Sequence, residues 1–542
     1  MSESLKQKIK NHLTGNLCLA VFLFLQTAFP LLYMYNASNT DVGTRISVNC
    51  LYFAVTFVCF FLTNGKPRNI LLVIFYLLAI VPNCIVLGFF DMDNSILKST
   101  DFWVVFDTNT AETKGFLSLV STSIIVKVAI YTTISLLILI ITIRKETRIK
   151  KDKSSTLTAS IAIFIWSGIS LCIPFRTNVP YIEFYKSWQK YNKISEELTE
   201  FYDSRKNIKT DASCYLPDVP KTFVVVIGES ATKSHYGLYG YPRNTTPHLD
   251  SIKDELLIYQ DVTTPFTTTL NALRYILTFS NHENPDAYKK DASIIEIIKA
   301  AGYKTFWLDN NQIIGCYEEK SLVYSYHPIV KMCNEVYFNN QYLQDETLIP
   351  LFEKALQDTA SNKVIFLHLN GSHMPYEIRY PKKYEHFRTK SDLPSKFRAK
   401  MNKKEIETAN AYDNSILYND YIISEFIRLL RSSQGLSSLL YFSDHGEEVF
   451  DSRHLSGRSL NHLTQSLCRI PFFVWRNEEY RNLNNLSIDV ERAYSSEDVI
   501  HSMMDMFGIS YELKDTCRSI FSDQFKQKKR MVNDRVFDES VK

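Results

Sequence analysis

Five apolar segments in the first third of the chain constrain the fold more than any other feature of the sequence. A helix needs about 20 mostly apolar residues to span the hydrocarbon core of a membrane. The segments that fit this requirement are Asn16–Tyr35, Ile46–Leu62, Ile70–Phe90, Leu119–Ile143 and Leu157–Pro174. Helices of a large soluble core are also apolar, but five in a row with alternating loop charge indicate membrane spans. We therefore expect an α-helical membrane domain of five transmembrane helices over residues 1–175.

The loop charges predict the orientation of these helices. Lys and Arg precede the first segment and separate the second from the third and the fourth from the fifth. The alternate loops, Asn36–Thr44 and Asp91–Lys114, hold few cations. Because cytoplasmic loops carry the excess of positive charge, we expect a cytoplasmic N-terminus and export of everything after the fifth segment. Lys127 lies inside the fourth segment, so it should sit near the interface or face a polar cavity.

The rest of the chain has the pattern of a soluble α/β domain. Residues 176–220 combine aromatic and basic side chains, which is typical of a helix at the membrane interface or packed on the domain, followed by a linker. Over residues 221–542, apolar strands alternate with amphipathic helices, and this alternation predicts a mostly parallel sheet. The predicted strands are Thr222–Ile227, Thr305–Leu308, Lys363–Leu369, Ser438–Phe442 and Ile470–Trp475.

Charge and cysteine usage exclude two classes of function. The 61 Lys and Arg nearly balance the 58 Asp and Glu, and there is no basic tract outside the loops near the membrane. A nucleic acid is therefore not an expected partner. No Cys-x-x-Cys pair is present, so a cysteine-based zinc site is not expected. Cys316 and Cys333 are the closest pair in the exported part and form the candidate disulfide.

Acidic and histidine side chains stand at the ends of three predicted strands. One strand leads to Glu229, another carries His368 with His373 shortly after it, and a third leads to Asp444 and His445. Ligands of open α/β sheets bind at the carboxyl ends of the strands. Taken singly, each residue reads as a helix cap or a hydrogen-bonded loop residue. Together they predict one metal site, whose mixed oxygen and nitrogen ligands suit Zn²⁺.

A run of threonines supplies candidate nucleophiles. Thr267, Thr268 and Thr269 precede a predicted helix, Leu270–Phe279. A hydroxyl at a helix N-terminus lies in positive potential that favours phosphate binding, and a nearby divalent cation would lower its pKa. Threonine is also a common N-cap, and from composition alone that simpler role is the better interpretation.

Three motifs resemble those of the bacterial phosphoethanolamine transferases, membrane enzymes related to the sulfatases and alkaline phosphatases. Some members confer polymyxin resistance. The motifs are Val226–Thr232 (VIGESAT), Tyr239–Pro247 (YGYPRNTTP) and Ser443–Glu447 (SDHGE). The likeness covers both halves of the chain. It implies a multi-pass protein of the bacterial inner membrane whose sulfatase-like or alkaline-phosphatase-like α/β domain lies in the periplasm.

The resemblance also implies a zinc site with a nucleophile. Glu229, Asp444 and His445 match the ligands of a tightly bound catalytic zinc in the family. Thr269 matches the nucleophilic threonine that completes the site. Pro265–Phe266 stand where relatives have Gly or Cys, so the register of this turn stays open by one or two residues.

Four histidines are candidates for substrate binding. His368 and His373 match a pair that in relatives lies around the phosphorylated threonine, the substrate or a second zinc. A further histidine is expected after the Asp-His motif; His454 fits the spacing better than His462, and the choice stays open. His373 and His454 are the candidate general acids or bases.

The implied reaction moves phosphoethanolamine from phosphatidylethanolamine to lipopolysaccharide through a covalent intermediate on Thr269. The acceptor, a core heptose or a lipid A phosphate, stays open. Transfer of phosphoglycerol and a phosphatase-like or sulfatase-like hydrolase are alternatives on the same scaffold. Sulfatases, however, need a Cys/Ser-x-Pro-x-Arg context, and none stands near Thr269. A non-catalytic membrane protein that binds lipid is a further alternative.

Overall fold

The computed structural model describes residues 3–27, 29–33, 53–60, 65–93, 120–145, 189, 205, 208, 210–310, 327–338, 344–390, 393, 401–453, 456–458, 462–483, 486–487 and 489–541. The chain separates into two compact units, residues 1–105 with 117–190 and residues 106–116 with 191–542.

The first unit is helical. Its helices are Glu3–Thr27, Phe29–Tyr33, Gly65–Asp93 and Thr122–Arg144, and residues 53–60 are also helical. Within the described ranges, Lys66–Met92 and Thr122–Arg144 are long and apolar enough to cross a membrane, with 27 and 23 residues. The predicted span Leu157–Pro174 and part of Ile46–Leu62 lie outside the described residues. The count of five spans therefore stays a prediction.

Lys127, the charge inside a predicted span, has an acidic partner. Its Nζ lies 2.8 Å from Asp91 Oδ2, and the hydroxyl of Tyr33 donates to Asp91 Oδ1 at 2.7 Å. Asp91 and Tyr33 lie at the ends of their helices, and Lys127 is on the second turn of Thr122–Arg144. The three groups satisfy one another, which offsets the cost of placing a charge in a span.

The second unit is built on a seven-stranded sheet in the described part of the chain. The strands are β1 Lys221–Gly228, β2 Leu256–Ile258, β3 Lys304–Asp309, β4 Glu335–Phe338, β5 Asn362–His368, β6 Leu436–Ser443 and β7 Phe472–Arg476. Their order in the sheet is β2-β7-β6-β1-β5-β3-β4. Strands β6, β1, β5, β3 and β4 pair in parallel, whereas β7 is antiparallel to both of its neighbours.

The predicted mostly parallel sheet is thus confirmed, with one antiparallel strand that makes it mixed. All five predicted strands are present. The strands β2 and β4 were not predicted, because three or four residues are too few to show a periodic pattern. The antiparallel direction of β7 could not be predicted either, since a short apolar run does not indicate whether its strand lies parallel or antiparallel to its neighbours.

The central strand β1 is buried along its whole length, and both of its faces pack against apolar side chains. Phe223, Val225 and Ile227 join one core cluster, while Val224 and Val226 join the other. A strand covered on both faces needs a continuous apolar sequence, which is what residues 223–227 supply. This burial fixes the strand ends at which the polar motif residues begin.

Short helices and one long helix surround the sheet. The long helix Lys403–Leu430 begins with a capping box of Asn402 and Glu405, and Ser293 with Glu296 forms the capping box that the sequence predicts for Ile294–Ala300. The other α-helices of this unit are Pro247–Ser251, Thr269–Ile276, His327–Val330, Leu348–Leu356, Gln465–Cys468, Glu478–Arg481, Val499–Phe507 and Phe537–Ser540.

Four small two-stranded sheets complete the described part of this unit. They pair Ala212–Cys214 with Ile509–Tyr511, Glu448–Val449 with Ser456–Gly457, Asp261–Thr263 with Ala493–Ser495, and Met531–Val532 with Arg535–Val536. Cys333 is a buried free thiol, so the predicted Cys316–Cys333 disulfide is wrong. Burial raises the pKa of this thiol to about 12, which makes it unreactive.

Candidate active site

Three side chains that could hold a metal ion meet at the carboxyl edge of the sheet. The register of β1 and β6 pairs Gly228 with Ser443, so the residues that follow the two strands are neighbours. Glu229, Asp444 and His445 are fully buried, and their ligand atoms lie within 4.8 Å of one another. His445 Nε2 is 3.3 Å from Glu229 Oε1 and 3.5 Å from Asp444 Oδ2.

Hydrogen bonds outside the cluster orient its ligand atoms. His445 Nδ1 lies 2.7 Å from the carbonyl oxygen of Gly446, and donation there leaves the Nε2 lone pair facing the carboxylates. Asp444 Oδ1 accepts from the backbone N–H groups of His445 and Ser230. Asp444 Oδ2 is buried and has no hydrogen-bond partner among the described residues. A buried carboxylate oxygen without a donor is costly, so this oxygen and nitrogen set fits a bound cation such as Zn²⁺.

The two carboxylates of the cluster titrate differently. Burial by itself would raise the pKa of Glu229, but Arg458 and His445 outweigh it and hold that pKa well below its ordinary value. Burial and the nearby Glu229 raise the pKa of Asp444. One negative charge is therefore firmly held at Glu229, and the second is disfavoured until a cation joins the cluster.

A tight turn after β5 supports the backbone of Glu229. Gly371 has φ +54°, and a Cβ added to it would lie 2.6 Å from the carbonyl oxygen of Glu229. The Ser372 N–H donates to that same carbonyl at 2.9 Å. The carboxylate of Asp345 accepts the N–H groups of Asn370 and Gly371, which holds the turn. Only glycine permits this combination of positive φ and close approach.

Thr269 brings a hydroxyl into the cluster. It is the first residue of the helix Thr269–Ile276. Its Oγ1 donates to Glu229 Oε2 at 2.9 Å and lies 3.4 Å from His445 Nε2. The hydroxyl is therefore held beside two of the three candidate ligands, with free backbone N–H groups of the first helical turn next to it.

The neighbouring threonines are engaged elsewhere. Thr267 Oγ1 accepts from Asn533 Nδ2 at 2.8 Å, and Thr268 Oγ1 accepts from Asn271 Nδ2 at 3.3 Å. Of the three candidate nucleophiles, the structure brings Thr269 to the cluster.

Arg458 lies in the site although sequence analysis did not select it. Its Nη2 is 3.1 Å from Glu229 Oε1 and 3.2 Å from Ser230 Oγ. The small sheet pairs Ser456 with Val449 and Gly457 with Glu448, so the chain doubles back after the Asp-His motif. The only sequence signal for this return was Gly457, which has φ +116°.

Glu447, two residues after His445, also lies in the site. The hydroxyl of Tyr376 donates to Glu447 Oε1 at 2.7 Å, and Arg458 Nε lies 3.7 Å from Glu447 Oε2. Burial raises the pKa of Glu447 to about 7, although Arg458 opposes this shift. Glu447 belongs to the SDHGE motif, but the sequence alone predicts no role for it.

Comparison with known proteins places this chain in a family. Residues 221–509 match the family model "Sulfatase". The phosphoethanolamine transferase CptA of Salmonella typhimurium is 30% identical over 560 residues, which cover 95% of this chain and 92% of that protein. The chain belongs to the phosphoethanolamine transferases of the sulfatase family. The family expected from the motifs is thereby confirmed.

Other members of this family match a shorter part. The phosphoethanolamine transferase EptC of Escherichia coli (strain K12) is 34% identical over 364 residues, 64% of this chain and 61% of that protein. The matched part thus spans about three fifths of that relative's length. The crystal structure of the C-terminal periplasmic domain of EptC from Escherichia coli has a TM-score of 0.57 and 33% identity, covering 61% of this chain and 96% of that chain.

Two further solved structures of the transferase family extend the comparison. A complex of the same EptC domain with Zn has a TM-score of 0.56 and 34% identity, covering 61% of this chain and 94% of that one. The integral membrane protein EptA of Neisseria meningitidis has a TM-score of 0.59 and 19% identity, covering 94% of this chain and 96% of that one. At that identity the likeness to EptA shows a shared fold alone.

The candidate histidines occupy different places in this transferase-family domain. His368 is buried at the end of β5, where its Nδ1 lies 3.2 Å from Asp309 Oδ2 on the paired strand β3. His373 Nδ1 lies 2.8 Å from the carbonyl oxygen of Met374, and burial together with Arg458 lowers the pKa of His373 to about 3. His454 lies outside the described residues, and His462 lies just before Gln465–Cys468, so the choice between them stays open.

The second family motif supports the site rather than lining it. Arg243 Nη1 lies 2.5 Å from Asp413 Oδ2 on the long helix Lys403–Leu430. His235 bridges two carboxylates, with Nδ1 2.6 Å from Asp413 Oδ1 and Nε2 3.2 Å from Asp451 Oδ1. Asp451 follows the Asp-His motif, so this network ties the long helix to the loop that carries two of the candidate metal ligands.

Proposed function

We propose that this protein transfers phosphoethanolamine from phosphatidylethanolamine to lipopolysaccharide, with one Zn²⁺ held by Glu229, Asp444 and His445. The observation that carries the proposal is the hydrogen bond from Thr269 Oγ1 to Glu229 inside the three-residue cluster. Support also comes from the names of its relatives and from the zinc complex of an EptC domain. A second zinc near His368 and His373 is the alternative stoichiometry.

In the first half of the reaction, Thr269 is the nucleophile. A bound Zn²⁺ would supply a Lewis acid that lowers the pKa of the hydroxyl and stabilises charge on the phosphoryl group. Glu229 Oε2 accepts the hydroxyl hydrogen and so orients Oγ1 for attack. The bond from Oγ1 to phosphorus forms, the bond to the diacylglycerol oxygen breaks, and the proton from Oγ1 ends on that oxygen.

In the second half, an acceptor oxygen attacks the phosphoethanolamine ester on Thr269. The bond from phosphorus to Oγ1 breaks, and the proton of the acceptor returns to Oγ1. We assign His373 or His454 to this proton transfer, as general base or acid. We assign His368 and either His454 or His462 to the binding of substrate.

The membrane unit keeps this chemistry at a lipid surface. We assign residues 1–175 to a five-helix domain of the inner membrane, 176–220 to the interfacial linker, and 221–542 to the periplasmic catalytic domain. Donor and acceptor are both lipids, so tethering the site at the membrane raises their effective concentration.

The proposal is tested by trapping the covalent intermediate. Full-length protein in detergent micelles is incubated with phosphatidylethanolamine, and the mass of the intact protein is measured. Wild type and the control variants Thr267→Ala and Thr268→Ala should gain one phosphoethanolamine, whereas Thr269→Ala should gain none and retain its unfolding midpoint. An adduct that persists in Thr269→Ala would assign the nucleophile to a neighbouring threonine. Absence of any adduct in wild type would favour a lipid-binding protein.

For the acceptor, we propose a core heptose of lipopolysaccharide, on the likeness of residues Ser443–Asp451 to transferases of that acceptor. Mass spectrometry of lipopolysaccharide from cells with and without the protein should show the added group on a core fragment. The same mass shift on lipid A alone would contradict this choice.

A further inference from the structure

Two side chains of opposite charge, Arg458 and Glu447, lie next to the carboxylate that accepts from the candidate nucleophile. The guanidinium of Arg458 spans two carboxylates, with Nη2 at 3.1 Å from Glu229 Oε1 and Nε at 3.7 Å from Glu447 Oε2. Glu229 in turn accepts the hydroxyl of Thr269. A single guanidinium therefore joins the carboxylate that holds the nucleophile to a second carboxylate, that of Glu447.

One carboxylate oxygen of Glu447 has the Arg458 guanidinium nearby but lacks a hydrogen bond within the described part of the chain. Its Oε1 accepts from the hydroxyl of Tyr376, which also lies 3.0 Å from Ser456 Oγ. Its Oε2 is buried and has no hydrogen-bond partner among the described residues. The next residue shows the contrast, since both oxygens of Glu448 accept from Ser452. Leaving a buried carboxylate oxygen without a donor costs stability, which points to a ligand that supplies one.

Arg458 is the solvent-facing member of this group. Its side chain is 26% exposed, whereas those of Glu229 and Glu447 are at most 1% exposed. A planar guanidinium with several N–H donors is suited to phosphoryl oxygens, which spread their charge over equivalent atoms. In phosphoryl transfer such cations stabilise the charge that develops on those oxygens.

The charges of the pair complement a zwitterion. A phosphoethanolamine group carries a negative phosphate and a positive ammonium separated by two carbons. The cation of Arg458 and the acceptor oxygen of Glu447 offer the opposite signs 3.7 Å from each other.

We propose that Arg458 and Glu447 form the subsite that recognises the zwitterionic headgroup of the donor lipid. Arg458 binds a non-bridging phosphoryl oxygen, and Glu447 Oε2 accepts an N–H of the ethanolamine ammonium. This inference rests on the proposed function and extends it, because it explains how an ethanolamine headgroup is selected over a neutral glycerol.

The test compares two donors that differ in the charge of the headgroup. Release of diacylglycerol by the full-length protein in micelles is measured with phosphatidylethanolamine and with phosphatidylglycerol of the same acyl chains. In Glu447→Gln, kcat/KM for phosphatidylethanolamine should fall about tenfold or more, because a charge-assisted hydrogen bond is lost. The value for phosphatidylglycerol should change by less than about twofold. Arg458→Gln should lower both values by similar factors.

Glu448→Gln is the matched control, since it removes a buried carboxylate one residue away that is already satisfied. Its ratio of the two kcat/KM values should equal that of wild type. An equal fall with both donors in Glu447→Gln would overturn the inference. Loss of bound zinc in Glu447→Gln would also overturn it, because Glu447 would then be a metal ligand.

A second measurement needs no variant. O-phosphoethanolamine and ethyl phosphate differ by the ammonium group, and both are tested as inhibitors of the wild-type protein. O-phosphoethanolamine should inhibit at a concentration about tenfold lower, and equal inhibition would overturn the inference. If wild type released no diacylglycerol from phosphatidylethanolamine, the proposed function would fail. If it did so and the two inhibitors were equivalent, the headgroup subsite alone would fail.

Discussion

At the scale of single residues, Asp444 shows how a side chain that suits metal binding can destabilise the metal-free fold. Its Oδ1 accepts two backbone N–H groups, while its buried Oδ2 has no partner among the described residues and lies 3.5 Å from His445 Nε2. An amide nitrogen in place of Oδ2 could donate to that imidazole nitrogen. The carboxylate is thus a poorer choice than an amide unless a cation is bound.

We therefore expect Asp444→Asn to stabilise the metal-free protein by about 1–3 kcal/mol, because it removes an unpaired buried charge. The same variant should lose the stabilisation that zinc gives wild type, since binding to the folded state raises the unfolding midpoint. Thermal unfolding of both proteins with chelator and with added zinc measures these effects. A lower midpoint for Asp444→Asn in chelator would contradict the prediction.

His235 is not one of the candidate metal ligands, and its ion pairs should make the free energy of unfolding depend on pH. Burial by itself would lower its pKa, but Asp451 and Asp413 outweigh burial and raise it to about 10. Because the pKa is higher in the folded state than the ordinary value of 6.5, the folded state binds the proton more tightly. This contribution is fully present below about pH 6.5 and is lost as the pH rises towards 10.

In His235→Gln the free energy of unfolding should fall by about 3 kcal/mol or more at pH 7, because Asp413 and Asp451 lose their shared cation. Its decline between pH 7 and 10 should be flatter than in wild type. Chemical unfolding at several pH values checks this, with the exposed His386→Gln as control. A His235→Gln curve parallel to that of wild type would refute the role of His235.

The residues of the site differ in how far sequence could predict them. The continuous apolar sequences of two strands mark where each strand ends. The sequence could therefore predict that the residues that follow them, Glu229, Asp444 and His445, lie close together. Arg458 could not be, because it reaches the site through a hairpin of two-residue strands. The register of the threonines could not be fixed either, since it depends on contacts with Asn271 and Asn533 that are distant or without pattern in the sequence.

At the scale of elements, a hairpin late in the chain holds the loop that carries the candidate nucleophile. Asn533 and Asp534, with φ +48° and +62°, form the turn between Met531–Val532 and Arg535–Val536. The Asn533 N–H donates to the carbonyl of Pro265, and its Oδ1 and Nδ2 bond to the N–H and Oγ1 of Thr267. These three bonds fix the backbone two residues before the candidate nucleophile Thr269.

Asn533→Gly keeps the positive φ and the backbone bond but removes both side-chain bonds. We expect kcat to fall about tenfold, because small displacements of a nucleophile are costly, while KM and zinc content stay unchanged. Asp534→Gly, whose side chain is 86% exposed, is the matched control. Steady-state kinetics and metal analysis of the full-length protein provide the measurement. Wild-type kcat in Asn533→Gly would show that the hairpin does not position the nucleophile.

The two strands that could not be predicted from the sequence, β2 and β4, were missed for the same physical reason. The strands β2 and β4 have only three and four residues, so neither alternation nor an apolar run is long enough to identify them. They lie at the two edges of the sheet, where burial on both faces is not required. The long central strands, by contrast, were predicted within two residues of their ends.

At the scale of the whole molecule, the loop charges predict a topology with five spans. Reporter proteins fused after residues in successive loops test it, using alkaline phosphatase for the periplasm and a fluorescent protein for the cytoplasm. Alkaline phosphatase should be active after Thr40, Val105 and Tyr191, and fluorescence should appear after Lys66 and Lys150. A fluorescent fusion at Tyr191 would mean an even number of spans before it and would contradict export of the catalytic domain.

The candidate ligands Glu229 and His445 lie more than two hundred positions apart in the chain. A ribosome makes the first of them long before the second, and in the predicted topology both must then cross the bilayer. A partly translocated chain therefore cannot assemble the cluster. With that topology, newly made protein would stay inert towards the lipids around it until most of its length had arrived on the far side.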